Sequence, residues 1–70
     1  MIYNIRQIDE DTIFHELIEE DGTIRPLGKQ VGISKAENLQ ESLQDWVDQR
    51  KTLFDLSSVT NDFGFELKLE

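Results

Sequence analysis

Seventy residues with 15 acidic and 7 basic side chains, a net charge of −8, are enough for one domain (residues 1–70) with a small core and too few for two. That charge disfavours direct binding of nucleic acid or of anionic membrane and favours basic partners, and the absence of cysteine excludes disulfides and thiolate zinc sites. An apolar content of 37% with one Trp, one Tyr and four Phe reads as globular. No run approaches the ~20 apolar residues that span a bilayer. Met1 to Arg6 carries no secretory-signal pattern, and the expected compartment is the cytoplasm.

Ile2-Tyr3-Asn4-Ile5-Arg6-Gln7-Ile8 is rich in β-branched residues and predicts a first strand, followed by a polar Asp9-Glu10-Asp11 turn. A second strand is expected at about 12–20. Asp21-Gly22 marks a type I′ hairpin turn into a third strand from residue 23. The competing reading is a short acidic helix with Ile13, Phe14, Leu17 and Ile18 on one face and Gly22 as its C-terminal cap. The hairpin is the favoured of the two. Pro26 cannot donate to a ladder, so it ends the third strand or places it at an edge. Gly28 and Gly32 loosen the path that follows, with Val31-Gly32-Ile33 a candidate continuation.

Ser34 and Glu37 stand at capping-box spacing. Ala36, Leu39, Leu43, Trp46, Val47 and Leu53 or Phe54 then follow at helical intervals, predicting an amphipathic helix over about 35–52. Its stripe assigns Trp46 to the core, the alternative being a partner anchor. Ser57-Ser58 and Asn61-Asp62 read as loop. Phe63, Phe65, Leu67 and Leu69 alternate with Glu66, Lys68 and Glu70, predicting a final half-buried strand. The expected fold is α+β: a small antiparallel sheet in the order β-β-β-α-β, with one helix packed across one face.

The segment Gly32-Ile33-Ser34-Lys35-Ala36-Glu37-Asn38-Leu39-Gln40-Glu41-Ser42-Leu43, with this element order, resembles HicB-like antitoxin domains. In that family a short strand and a small polar turn lead into a helix opening Leu-x-Glu-Ala-Leu, here Leu39-Gln40-Glu41-Ser42-Leu43. Pro26-Leu27-Gly28-Lys29-Gln30 stands where the family has a Pro-Gly turn. The resemblance implies the fold and the habit of binding a basic partner enzyme; it carries over no individual functional residue.

No catalytic constellation is present. His15 is the sole histidine, has no nucleophile in a recognisable setting, and is expected as a half-exposed residue. Asp9-Glu10-Asp11 lacks the ligand spacing of an EF-hand, and Gly28-Lys29-Gln30-Val31-Gly32 is not a phosphate-binding loop. The expectation is a protein that is not an enzyme and uses no cofactor or metal. The acidic side chains are the candidate partner-binding residues. Asp9, Glu10, Asp11, Glu16, Glu19, Glu20 and Asp21 form a block without one Lys or Arg, and Glu37, Glu41 and Asp45 recur every four residues. On a helix that repeat rises ~6 Å, close to the ~6–7 Å between successive phosphates of one nucleic-acid strand. The function expected is a non-catalytic inhibitor or neutralising module that occupies a basic, nucleic-acid-handling surface of a partner protein. The alternative is an assembly subunit that homodimerises through a sheet edge, the Phe63 to Leu69 strand being the candidate.

Overall fold

The computed structural model describes residues 1–69. In chain order it contains β1 (Ile2–Asp9), β2 (Thr12–Ile18), β3 (Ile24–Val31), α1 (Leu39–Arg50) and β4 (Ser58–Asn61). The strands form one sheet in the order β3-β2-β1-β4. The fold is α+β, as the sequence predicts, and residues 12–18 are strand rather than helix.

Strand alternation builds the core. Tyr3 pairs with Leu17 and Ile5 with His15. Together with Ile13 they make one face of the sheet, and all five are fully buried. Leu39, Leu43 and Val47, one stripe of α1, close over that face. Burying a side chain such as Leu43 stabilises the fold by roughly 1.5–3 kcal/mol.

The sheet is mixed, not antiparallel: β4 runs parallel to β1, with Ile2 opposite Ser58 and Ile5 opposite Asn61. The cause is the crossover. α1 carries the chain from the β3 edge across the sheet face to the far side of β1, and a helical crossover of this kind delivers a parallel neighbour. The final strand is also displaced. β4 lies in the stretch read as loop, and residues 63–69 form no ladder; Glu70 of the predicted strand lies outside the described residues. The alternation itself is real, because Phe63, Phe65, Leu67 and Leu69 pack against the core. Two amide side chains stand in for the ladder. Asn61 Oδ1 accepts from the Phe63 and Phe65 N–H groups, and Asn61 Nδ2 donates to the Phe65 carbonyl. Gln44 Oε1 accepts from Lys68 N–H, and its Nε2 donates to the Lys68 carbonyl.

Three local expectations change. The helix begins at Leu39, not residue 35. Asn38 is its N-cap and makes no side-chain capping bond. The capping box does not form, and Ser34 Oγ is buried without a partner among the described residues. Residues 33–39 instead wind through two tight turns, Ala36 N–H donating to Ile33 and Leu39 N–H to Ala36. Leu53 leaves the apolar stripe and is 70% exposed, whereas Phe54 packs against the core. The second hairpin is not type I′. Gly22 N–H donates to the Glu19 carbonyl and Gly22 has φ +89°, but among the described residues no non-glycine has positive φ. A type I′ turn needs positive φ at Asp21 as well; three residues between Glu19 and Thr23, with glycine at the left-handed position, satisfy the chain instead. Pro26 sits on an edge strand, as predicted. β3 continues through it to Val31, with Leu27 as an unpaired bulge residue between the pairs Glu16–Pro26 and His15–Gly28.

Candidate partner-binding surfaces

The block from Asp9 to Asp21 is one run in sequence and three places in space. β2 separates its ends, and seven residues of strand hold them about 20 Å apart. At one end Asp9 closes the β1–β2 turn by accepting from Asp11 N–H at 2.9 Å. That backbone bond, aided by the Thr12 hydroxyl, holds the Asp9 carboxyl below its ordinary pKa. Glu10 and Asp11 are exposed beside it. Asp62, just past β4, also reaches this end and accepts from Gln7 N–H. At the other end Asp21 accepts from Thr23 N–H at 2.9 Å, which lowers its pKa in the same way. Glu19 pairs with Arg25 at 3.1 Å. Glu19, Glu20, Asp21 and Asp55 line one shallow cleft with Met1.

Glu16 leaves the cluster altogether. It points to the face of the sheet away from α1, is 3% exposed, and accepts from Arg6 Nε at 2.9 Å and Asn4 Nδ2 at 3.3 Å. A carboxylate spent on an internal ion pair is not presented to a partner.

The helix series is closer to the expectation. Glu41 and Asp45 are exposed on α1, while Glu37 is exposed in the turn before it. The C-terminal segment adds Glu66, which shares a shallow cleft with Glu37, Glu41, Gln44 and Lys68. Asp48 pairs with Lys51 at 3.1 Å, and its carboxyl lies below the ordinary value chiefly through the Gln44 amide. Sequence reasoning missed Glu66, Asp55 and Asp62 as members of these surfaces. For Glu66 the signal was present, because alternation places it opposite Phe65 and Leu67; for the other two only the tertiary path brings them in.

His15 is fully buried rather than half-exposed. Its ring lies against Trp46 of α1, centroids 4.1 Å apart, and the Arg50 guanidinium lies over the same indole at 4.0 Å. The Trp46 ring lies over Gly28, where a Cβ would stand 3.1 Å from it. Gln30 Oε1 accepts only, so His15 Nε2 carries the hydrogen across 2.7 Å. Nδ1 is then the acceptor for the Tyr3 hydroxyl at 2.8 Å. Burial holds His15 down to about 4 and raises the Tyr3 phenol above its usual range. The imidazole is therefore neutral, with both nitrogens committed, and is a fixed piece of the core rather than a free base. Among the described residues no group of three His, Asp or Glu side chains is placed to hold a metal ion, and no helix is long and apolar enough to cross a membrane.

The class defined by these features is a small α+β domain whose acidic side chains gather on the helix side and at both ends of the sheet. No family model, curated protein or solved structure matches the chain, so the HicB-like resemblance rests on the residue pattern alone.

Proposed function

We propose that this protein is a non-catalytic, acidic protein-binding module of the antitoxin, immunity or phage anti-defence kind, which occupies a basic, nucleic-acid-handling surface of a partner. The observation that carries this reading is the grouping of Glu37, Glu41, Asp45 and Glu66 on and beside α1, exposed and without an ion-pair partner among the described residues. Glu41 and Asp45 lie one helical step of ~6 Å apart, a repeat that suits a surface evolved for phosphates. The turn carboxylates Glu10, Asp11 and Glu20 extend the negative field beyond the contact and speed encounter with a basic protein. A domain of this type works in the cytoplasm, where its partner handles nucleic acid.

The test is capture from the native cell on immobilised protein, eluted with a salt gradient. A basic nucleic-acid-handling protein released by moderate salt is the expected result. Glu37→Lys, Glu41→Lys and Asp45→Lys together should slow its association tenfold or more. A partner whose affinity is indifferent to salt, or an unchanged on-rate in the triple variant, would remove this reading.

A further inference from the structure

Residues 66–69 are held to the molecule by few and exposed bonds. Leu67 and Leu69 pack against the core, but no residue of the 63–69 segment is fully buried, and Glu66 and Lys68 are exposed. Asn61 fixes the chain as far as Phe65, through bonds that lie within one turn. Beyond that point the Gln44 side chain holds the Lys68 main chain, at 2.7 and 2.8 Å, and both bonds face water. The segment is undercut on both flanks. One cleft, between it and α1, is lined by Glu37, Glu41, Gln44, Glu66 and Lys68. Another, between it and β4, is lined by Ser58 and Val59 with Leu67 and Leu69.

The contrast with β1 and β2 is sharp. Those strands share a ladder and bury Tyr3, Ile5, Ile13 and Leu17 completely. A segment with exposed hydrogen bonds and little fully buried surface opens locally, well below the free energy of global unfolding. Charge weakens the closed position further. Docking sets Glu66 in a cleft that already holds Glu37 and Glu41, and like charges brought together oppose it.

We propose that residues 66–69 are a strap that gates the acidic cleft of α1. Closed, the strap occupies the Gln44 amide and puts its own Lys68 where a base of the partner would enter. Open, it carries Glu66 and Lys68 away. Gln44 is then free to take a main-chain N–H and C=O of the partner, and Glu37, Glu41 and Asp45 remain for its basic side chains. This regulation rests on the basic-partner reading proposed above. A basic segment that needs the open form selects it, and the equilibrium shifts by the ratio of its affinities for the two forms.

Native-state hydrogen exchange on the free chain, followed by NMR, tests the gate. The Lys68 N–H should exchange at least about a hundredfold faster than the slowest β1–β2 ladder amides, at a rate that low urea does not change, because a local opening exposes little surface. Glu66→Lys relieves the like charge and should raise the protection of that N–H about threefold or more, relative to an unfolded peptide of the same sequence. Hexalysine at about 1 mM and low salt is the partner probe. It should move the Leu67 and Leu69 methyl resonances about a tenth of the way or more toward their free-peptide positions, and hexaglutamate should leave them in place. Exchange of Lys68 only through global unfolding, no gain of protection in Glu66→Lys, or methyl resonances that hexalysine leaves in place would overturn the inference without touching the capture experiment. Failure to capture a basic protein removes the reading above, and the three measurements on the free chain still decide whether the strap opens.

Discussion

Each face of the sheet buries a side chain that commonly carries charge near neutral pH, His15 on one and Glu16 on the other, and the two faces treat it in opposite ways. Under α1, His15 is enclosed by Tyr3, Gln30 and Trp46, all neutral, with the Arg50 cation stacked on the same indole. On the open face, Glu16 is almost as well shielded but keeps a cation, Arg6, that is itself half in water. Burial is the main cause of the lowered His15 pKa, and the neighbours decide whether a buried charge survives. Where every neighbour is neutral or positive, the proton is expelled and the ring becomes a hydrogen-bonded spacer. Where the adjacent strand supplies an opposite charge, a carboxylate is tolerated.

Acid is the strongest way to break this contrast. His15 has a pKa of about 4 in the fold and ~6.5 when unfolded, so between these values the unfolded chain binds a proton that the native chain excludes. Stability should therefore fall as pH drops from about 6.5 to about 4, by roughly 3 kcal/mol in all, with little further loss from this group below that. Asp9, Asp21 and Asp48, held below their ordinary values, contribute their own loss only at and below about pH 4. Urea unfolding at pH 7, 5.5 and 4.5 separates the two windows, and His15→Phe should flatten the upper one. A slope that survives this substitution would place its origin elsewhere.

Next in size is Tyr3→Phe, which removes the Tyr3 donor to Nδ1 and leaves a buried acceptor unpaired at a cost of about 1–3 kcal/mol. An unchanged unfolding midpoint would mean that the phenol does not hold the ring. On the opposite face, Arg6→Ala leaves Glu16 with Asn4 alone. Because the Arg6 side chain is 49% exposed, the effect should be smaller than for a fully buried pair, about 1 kcal/mol. Adding Glu16→Gln to that variant should recover most of the loss, and failure to recover would assign the cost to lost packing of the Arg6 stem on Phe14.

Much of this architecture was legible in the chain. Ile2 to Ile8, the hairpin signal at Asp21-Gly22 and the stripe Leu39, Leu43, Val47 gave three strands and a helix in the right order. What failed was the assumption that local pattern implies local hydrogen bonding. Phe63 to Leu69 alternates as a strand does, yet its partners are the side chains of Asn61 and Gln44, and nothing in a strand pattern predicts an amide clamp. Ser34 and Glu37 have capping spacing, but the chain must first turn twice before α1 can start over the core. The charge block misled for a related reason. Of its seven carboxylates only Glu16 lies on β2, where it is withdrawn into an ion pair, and the other six divide between the two ends of that strand. Glu41 and Asp45 on α1 stay together because a helix preserves a four-residue repeat on one side. The face of the sheet away from α1 was visible too, as the even-numbered partners of the core residues, but only the register shows that Ile2, Ile18 and Ile24 stand in one row.

The parallel pairing of Ile2–Ile5 with Ser58–Asn61 sets an order of events during synthesis. β1 occupies a central place in the sheet, and one of its two neighbours, β4, follows it by more than fifty residues. β1, β2 and β3 can pair by successive hairpins, but one side of β1 stays unsatisfied until residue 58 is free to move. A nascent chain stalled shortly before that point exposes an adhesive strand beside a nearly complete core. For this fold, the short strand Ser58–Asn61 converts a sticky intermediate into a paired sheet.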